Sequence, residues 1–154
     1  MKPKTKTMLA AAVLTGLLLL SGCEWFLGEH LTDSERAEAF IETANESIRD
    51  YDAMREHFHP NAPSYSSMNT PGFWEETFFD LGEQPFATRG LQAGDALSGF
   101  PGTSSLSGSV TSRTFPDDGV AIQFGFLPDP DNPLNRLIYV IIVEGDLDDI
   151  RSVH

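Results

Sequence analysis

Residues 32–62 read TDSERAEAFIETANESIRDYDAMREHFHPNA, and this stretch decides the fold. Thr32-Asp33-Ser34-Glu35 has the form of a capping box, in which the Thr32 hydroxyl takes an orphan amide and the Glu35 carboxylate reaches back. Ala37, Phe40, Ile41, Ala44 and Ile48 then fall at i, i+3, i+4, i+7 and i+11, an apolar stripe at the helical period. A helix is expected from the box to about Arg49. Asp50 or Asp52 can cap a second, shorter helix carrying Met54 and Phe58, ended at His59-Pro60 because the residue before proline avoids the helical region.

Downstream, a polar loop with a short strand near Ser64 to Ser66 leads to Thr70-Pro71, which opens a third helix with proline at its first position. Phe73, Trp74, Phe78 and Phe79 make that helix the most aromatic stretch of the chain. From Leu81 the pattern changes. Phe86 to Leu91 and Ser104 to Phe115 read as strands, the second with Leu106 and Val110 on one face, and Val120, Ile122, Phe124 and Phe126 alternate as in a half-buried strand. Leu137 to Val143 is continuously apolar, as in a central strand covered on both faces, and Asp148 to Val153 closes the set after a turn at Glu144 to Leu147. Helices first and antiparallel strands second define an α+β domain over residues 32–154.

Upstream lies a segment of another kind. Lys2, Lys4 and Lys6 precede an apolar run from Met8 to Leu20 and the small residues Ser21 and Gly22, the three parts of a secretory signal. The run falls short of the roughly 20 apolar residues that span a bilayer comfortably. Leu20-Ser21-Gly22-Cys23 resembles the bacterial lipobox. That resemblance implies a diacylglyceryl group on Cys23, cleavage between Gly22 and Cys23, removal of residues 1–22 and acylation of the new amine. Residues 23–31 then form a short tether, whose Trp25, Phe26 and Leu27 suit the bilayer interface. More than one lipid chain, each buried methylene contributing about 0.8 kcal/mol, gives lasting attachment. Glu24, in place of the aspartate that retains lipoproteins at the inner membrane in lineages sorting by that position, points to the outer membrane, facing the periplasm. Cys23 is the only cysteine, so the domain has no internal disulfide and relies on packing.

All three lysines lie in the signal, leaving seven arginines against 23 acidic residues and a formal charge of −16 after cleavage. A field of that sign repels phosphates, which require Lys or Arg clusters, and excludes nucleic acid as a partner. The acidity fits solubility in a salty environment, where repulsion is screened and stability rises with salt, or attraction to a cationic partner. The acids are spread rather than blocked, which favours the first.

The order of elements resembles the nuclear transport factor 2-like superfamily, a cone of three helices enclosed by a curved antiparallel sheet. The resemblance rests on Ala37 to Ile48, on the hinge and short helix Arg49 to Phe58, on His59-Pro60-Asn61-Ala62, on the helix around Trp74 and on the closing Ile150-Arg151-Ser152-Val153. Members use the cone for isomerisation, dehydration, cyclisation or plain binding, so fold alone does not choose among them. Steroid-isomerase-like members need a carboxylate base after the short helix and a tyrosine on the first helix; gapless alignment puts Ser66 and Glu42 there. A slip of one residue brings in Tyr65.

Other chemistries lack their residues. His57 and His59 have no third metal ligand in the pattern and suit a helix C-terminus. Asp129-Pro130-Asp131-Asn132 and Asp146-Leu147-Asp148-Asp149 lack the glycine and glutamate of a calcium loop and read as turns. Ser104 to Ser112 holds no nucleophile elbow, and Gly94, Gly99 and Gly102 no phosphate loop. No catalytic residue, metal or cofactor is assigned; Asp52, His57, His59 and Tyr65 are expected at helix ends or in a loop, with ordinary pKa values. Phe40, Tyr65, Trp74, Phe78, Phe124 and Phe126 are the residues that would line a pocket for a small apolar ligand, or simply fill the core. Three readings follow: a non-catalytic envelope lipoprotein binding a ligand or a protein partner, a pocket enzyme of the isomerase or dehydratase kind, and a structural envelope protein with a filled core.

Overall fold

Thr32 caps the first helix as its sequence requires. In the computed structural model, which describes residues 30–144 and the backbone of 150–153, Thr32 Oγ1 accepts from the Glu35 amide at 3.3 Å and Glu35 Oε2 accepts from the Thr32 amide at 2.9 Å. The Thr32 amide, and after it the Thr32 hydroxyl donating to Glu35 Oε2 at 2.7 Å, hold the Glu35 carboxyl below its usual pKa. Helix α1 runs Asp33–Ser47 and buries Ala37, Phe40, Ile41 and Ala44, the face given by the stripe, together with Arg36. Asp50 caps α2 (Tyr51–Arg55) by accepting from the Ala53 amide.

Helix α2 stops at Arg55, well short of Pro60. The chain is taken out of the helix by β-pairing: His59 N donates to Ile138 O at 2.8 Å and Ile138 N to His57 O at 2.9 Å, a parallel bridge at Phe58. The strand expected near Ser64 to Ser66 is a 3-10 turn, Tyr65–Ser67. Its successive i to i+3 bonds leave no ladder, and the buried Trp74 indole N–H grips the following carbonyl of Met68 at 2.8 Å. Pro71 does not open the next helix. Gly72, at φ +87°, is the N-cap of α3 (Phe73–Phe79), a left-handed conformation that glycine alone adopts without penalty.

Five strands follow as an antiparallel meander in the order β1-β2-β3-β4-β5: β1 Ala87–Gly94, β2 Ser104–Thr111, β3 Val120–Pro128, β4 Arg136–Glu144 and β5 Ile150–Val153. The protein is α+β, with its helices before its sheet. Strand β1 begins after Phe86, whose backbone is held by Asn45, and β2 ends at Thr111 because Ser112 turns back to Phe115 and Arg113 N bonds Glu83 O. Phe115 therefore lies beyond the strand. The apolar run at Leu137 to Val143 is paired by β3 throughout, by β5 over Ile141–Glu144, and by the His57 to His59 segment near its start. Its outer face is covered too: Leu97 and Val140 lie where a Cβ on Gly125 would stand, both at 2.8 Å. Glu144 ends β4; the rest of the turn expected at Glu144 to Leu147, the acidic stretch Asp146 to Asp149 and the side chains of β5 lie outside the described residues.

Helix α1 lies against β1, β2 and β4. The core between helices and sheet is one cluster, from Phe40, Met54 and Trp74 to Leu106, Ile122, Phe124, Phe126 and Ile141.

Candidate binding surfaces

Phe40 sits at the centre of the interior. Its ring meets Phe58 at 5.4 Å, Trp74 and Phe78 at 5.7 Å and Phe124 at 6.5 Å, and Phe124 stacks on Phe126 at 6.1 Å. Phe40, Trp74, Phe78, Phe124 and Phe126 are each at most 4% exposed. The hollow beside Trp74, between Phe58, Met68 and Tyr139, measures about 10 Å³. That is the lower limit for a single water, against several hundred Å³ for a ligand pocket. Tyr65 packs on the edge of the core cluster, half-buried under the Arg55 guanidinium at 5.3 Å, on the lip of an outer cleft of about 390 Å³.

At the N-terminal end of α1, where Arg36 and Asn135 line that outer cleft, the polar side chains are paired with one another. Arg36 Nε donates to Arg136 O at 2.8 Å and its NH2 group to Asn135 Oδ1 at 2.9 Å, while NH1 faces His57 Nδ1 at 3.5 Å. Beside it Arg136 Nε pairs with Asp33 Oδ1 at 3.1 Å, and Ser104 bridges the two, accepting from Arg136 and donating to Asp33. With a guanidinium at Nδ1, the proton of neutral His57 belongs on Nε2, which donates to Thr43 Oγ1 at 2.8 Å; Thr43 passes its own hydrogen to Ala39 O. Burial first, and the Arg36 charge second, push the His57 pKa down to about 4.

His57 is therefore a neutral, structural histidine rather than a cation at a helix end, and its pKa is not ordinary. The stripe-based reading missed this because Arg36 and Thr43 come from another helix, 21 and 14 residues away. His59 is buried as well, its Nδ1 accepting from the Asn61 amide and its ring set edgewise on Tyr139. Asp52 pairs with Arg55 at the surface. Glu42 is exposed on α1 and Ser66 exposed on the 3-10 turn, on separate elements. Asp129 shapes its turn by accepting from the Asp131 amide.

The C-terminal end of α1 is open. Asn45 holds Phe86 by two hydrogen bonds of 2.7 Å, and the Gln84 amide donates to Ala44 O, so the Gly82–Phe86 segment with its cis Gln84–Pro85 bond is locked to the helix. Gly82 packs so tightly on Thr114 and Ser112 that a Cβ there would come within 2.8 Å of both side chains. Between this wall and α3 runs a groove of about 750 Å³, with Ile48, Phe78, Phe79 and Phe86 as apolar lining and Glu75, Glu83 and Arg113 as charged lining. A second hollow of about 430 Å³ continues past Phe79 to Glu76 and Asp80. Phe79 is 80% exposed. Oε2 of Glu75 is shielded from solvent with no hydrogen-bond partner among the described residues, and its Oε1 is 3.6 Å from the largely exposed Arg49. A partial signal for this site was present: Trp74 and Phe78, four residues apart, share one face of the helix, and Phe79 is turned about 100° from Phe78.

Among the described residues no helix is long and apolar enough to cross a membrane, and no group of three or more His, Cys, Asp or Glu is placed to hold a metal ion. Gly22 and Cys23 lie outside them. Comparison with protein-family models, with curated proteins and with solved structures finds no match.

Proposed function

We propose that the chain is an envelope lipoprotein, exported by residues 1–22 and anchored through Cys23 at the outer membrane, whose domain binds a partner on its surface and carries out no catalysis. One observation carries the surface reading: five buried aromatic rings fill the interior, the hollow beside Trp74 measures only about 10 Å³, and the open grooves lie outside. The element order and the seat of α1 against β1, β2 and β4 support the nuclear transport factor 2-like cone, here closed rather than hollow. A filled core alone would fit a purely structural protein equally well. The exposed Phe79 and the groove beside it favour binding.

Two measurements test the proposal. Labelled palmitate fed to expressing cells should enter the wild type and not the Cys23→Ala variant; equal labelling of both would remove the anchor from the proposal. NMR titration with a steroid or a fatty acid should leave the Phe40 and Trp74 resonances in place. Saturable shifts at those rings would mean that the cone opens, and the isomerase or dehydratase reading would replace this one.

A further inference from the structure

We infer that the groove at the C-terminal end of α1 receives a basic, amphipathic polypeptide segment of an envelope partner, an apolar side chain of the segment covering Phe79 and an Arg or Lys reaching Glu75. The inference rests on the surface-binding reading and names the partner's chemistry. The apolar half of the argument is Phe79. An 80%-exposed phenylalanine continuous with the buried Phe78 and Phe86 through Ile48 gives an aliphatic or aromatic side chain a surface to cover.

The charged half is the surround. Glu75 and Glu83 line the main groove and Glu75, Glu76 and Asp80 the adjoining hollow, against Arg113 as the cation of the lining. The reachable part of Glu75 is its other oxygen: the side chain is 35% exposed, and the Arg49 that stands 3.6 Å from Oε1 is itself 82% exposed. A guanidinium or ammonium of the partner pairs with Oε1 more closely, in a site where partial desolvation strengthens the pair.

The same charges dismiss other occupants. A second copy in a two-fold contact would set these carboxylates against themselves, in a chain of formal charge −16 after cleavage. An anionic lipid surface or a nucleic acid is repelled for the same reason. The groove is also at the opposite end of α1 from Leu31, where the domain's chain enters, a helix length of about 22 Å away at 1.5 Å per residue.

The test uses the full chain in detergent micelles at physiological salt and a fluorescein-labelled peptide of twelve residues, made of Leu, Arg and Ala with the Leu and Arg on one helical face. Saturable binding is expected, with NMR shifts at Ile48, Phe79 and Gly82. Phe79→Ser and the double variant Glu75→Gln/Glu83→Gln should each weaken it about tenfold. Glu38→Gln/Glu42→Gln, an equal change of charge on the exposed side of α1, should stay within twofold of the wild type. Equal weakening by both double variants would reduce the effect to the overall field and overturn the inference, as would wild-type binding by Phe79→Ser or no saturation. Equal binding of a peptide with Gln for Arg would remove the cationic requirement, and a dimer dissolved by Phe79→Ser would assign the groove to a second copy. The peptide readout does not require Cys23 to be lipidated, and pocket binding would move Phe40 and Trp74 instead, so failure of the earlier reading is seen separately.

Discussion

The two ends of helix α1 are built on opposite principles. At the N-terminal end Asp33, Glu35, Arg36 and Arg136 have each been given partners: the capping box, the Arg136–Asp33–Ser104 triad, and Arg36 spread over a carbonyl, an amide oxygen and a neutral imidazole. At the C-terminal end an arginine stands largely in solvent, a phenylalanine is exposed and a carboxylate oxygen lacks a donor. Polar groups taken out of water cost stability unless they are satisfied, and large apolar groups left in water gain nothing for folding. The first end is thus explained by the fold itself, whereas the second is not. That asymmetry is the ground for proposing the groove as the binding end.

Two arginines measure it. Arg36→Leu should remove about 2 to 4 kcal/mol of stability, because it leaves the Arg136 carbonyl, one acceptor site of Asn135 and His57 Nδ1 without their donor in a buried place. Arg49→Leu should change stability by less than about 0.5 kcal/mol, since an exposed pair at 3.6 Å contributes little. Urea midpoints of the two variants check this directly. Equal losses would mean that the ends are alike in stability and that the comparison fails.

His57 sharpens the comparison through pH. Its pKa is near 4 in the folded protein against 6.5 for an ordinary histidine, so protons bind preferentially to the unfolded chain. The stability this neutral ring contributes is complete above about pH 6.5, falls as the pH drops from 6.5 toward 4, and then levels off. By pH 5 the loss should be about 1 to 2 kcal/mol, allowing for the part of the ring that solvent still screens. His57→Gln, which has no group titrating in that window, should lose less over the same range. Urea unfolding at pH 7.5, 6 and 5 gives the difference between the two proteins, which should narrow as pH falls. A constant difference would place His57 in a more solvated setting than described here.

Much of this architecture is written in local pattern. The capping box at Thr32, the buried stripe of α1, the cap at Asp50 and the alternation in β3 all follow from spacing, because each depends on residues within a turn or two of one another. The errors share one cause. Helix α2 ends early because of Ile138, the 3-10 turn replaces a strand where Trp74 grips it, and His57 loses its proton through burial and then the charge of Arg36, all effects from other parts of the chain. Five of the six aromatic residues expected near a pocket do meet in one cluster, but sequence carries no information on whether the rings leave a space between them. The groove was hidden for a further reason: its wall is made by Asn45, Gln84 and Phe86, about 40 residues apart in the chain.

Phe79→Ser should have the smallest effect on stability and is for that reason the most informative about the open end. A phenylalanine that is 80% exposed has little apolar area left to lose, so the change should stay within about 0.5 kcal/mol. Helix propensity does not alter that balance, since Ser and Phe rank close together and residue 79 is the last of α3. Removing an apolar ring from a surface groove also lowers nonspecific association, so solubility should hold or improve. Denaturant midpoints and m-values should therefore match the wild type. A loss of 2 kcal/mol or more would show that Phe79 packs on part of the chain in solution, making the groove a piece of the core rather than a surface kept for a partner.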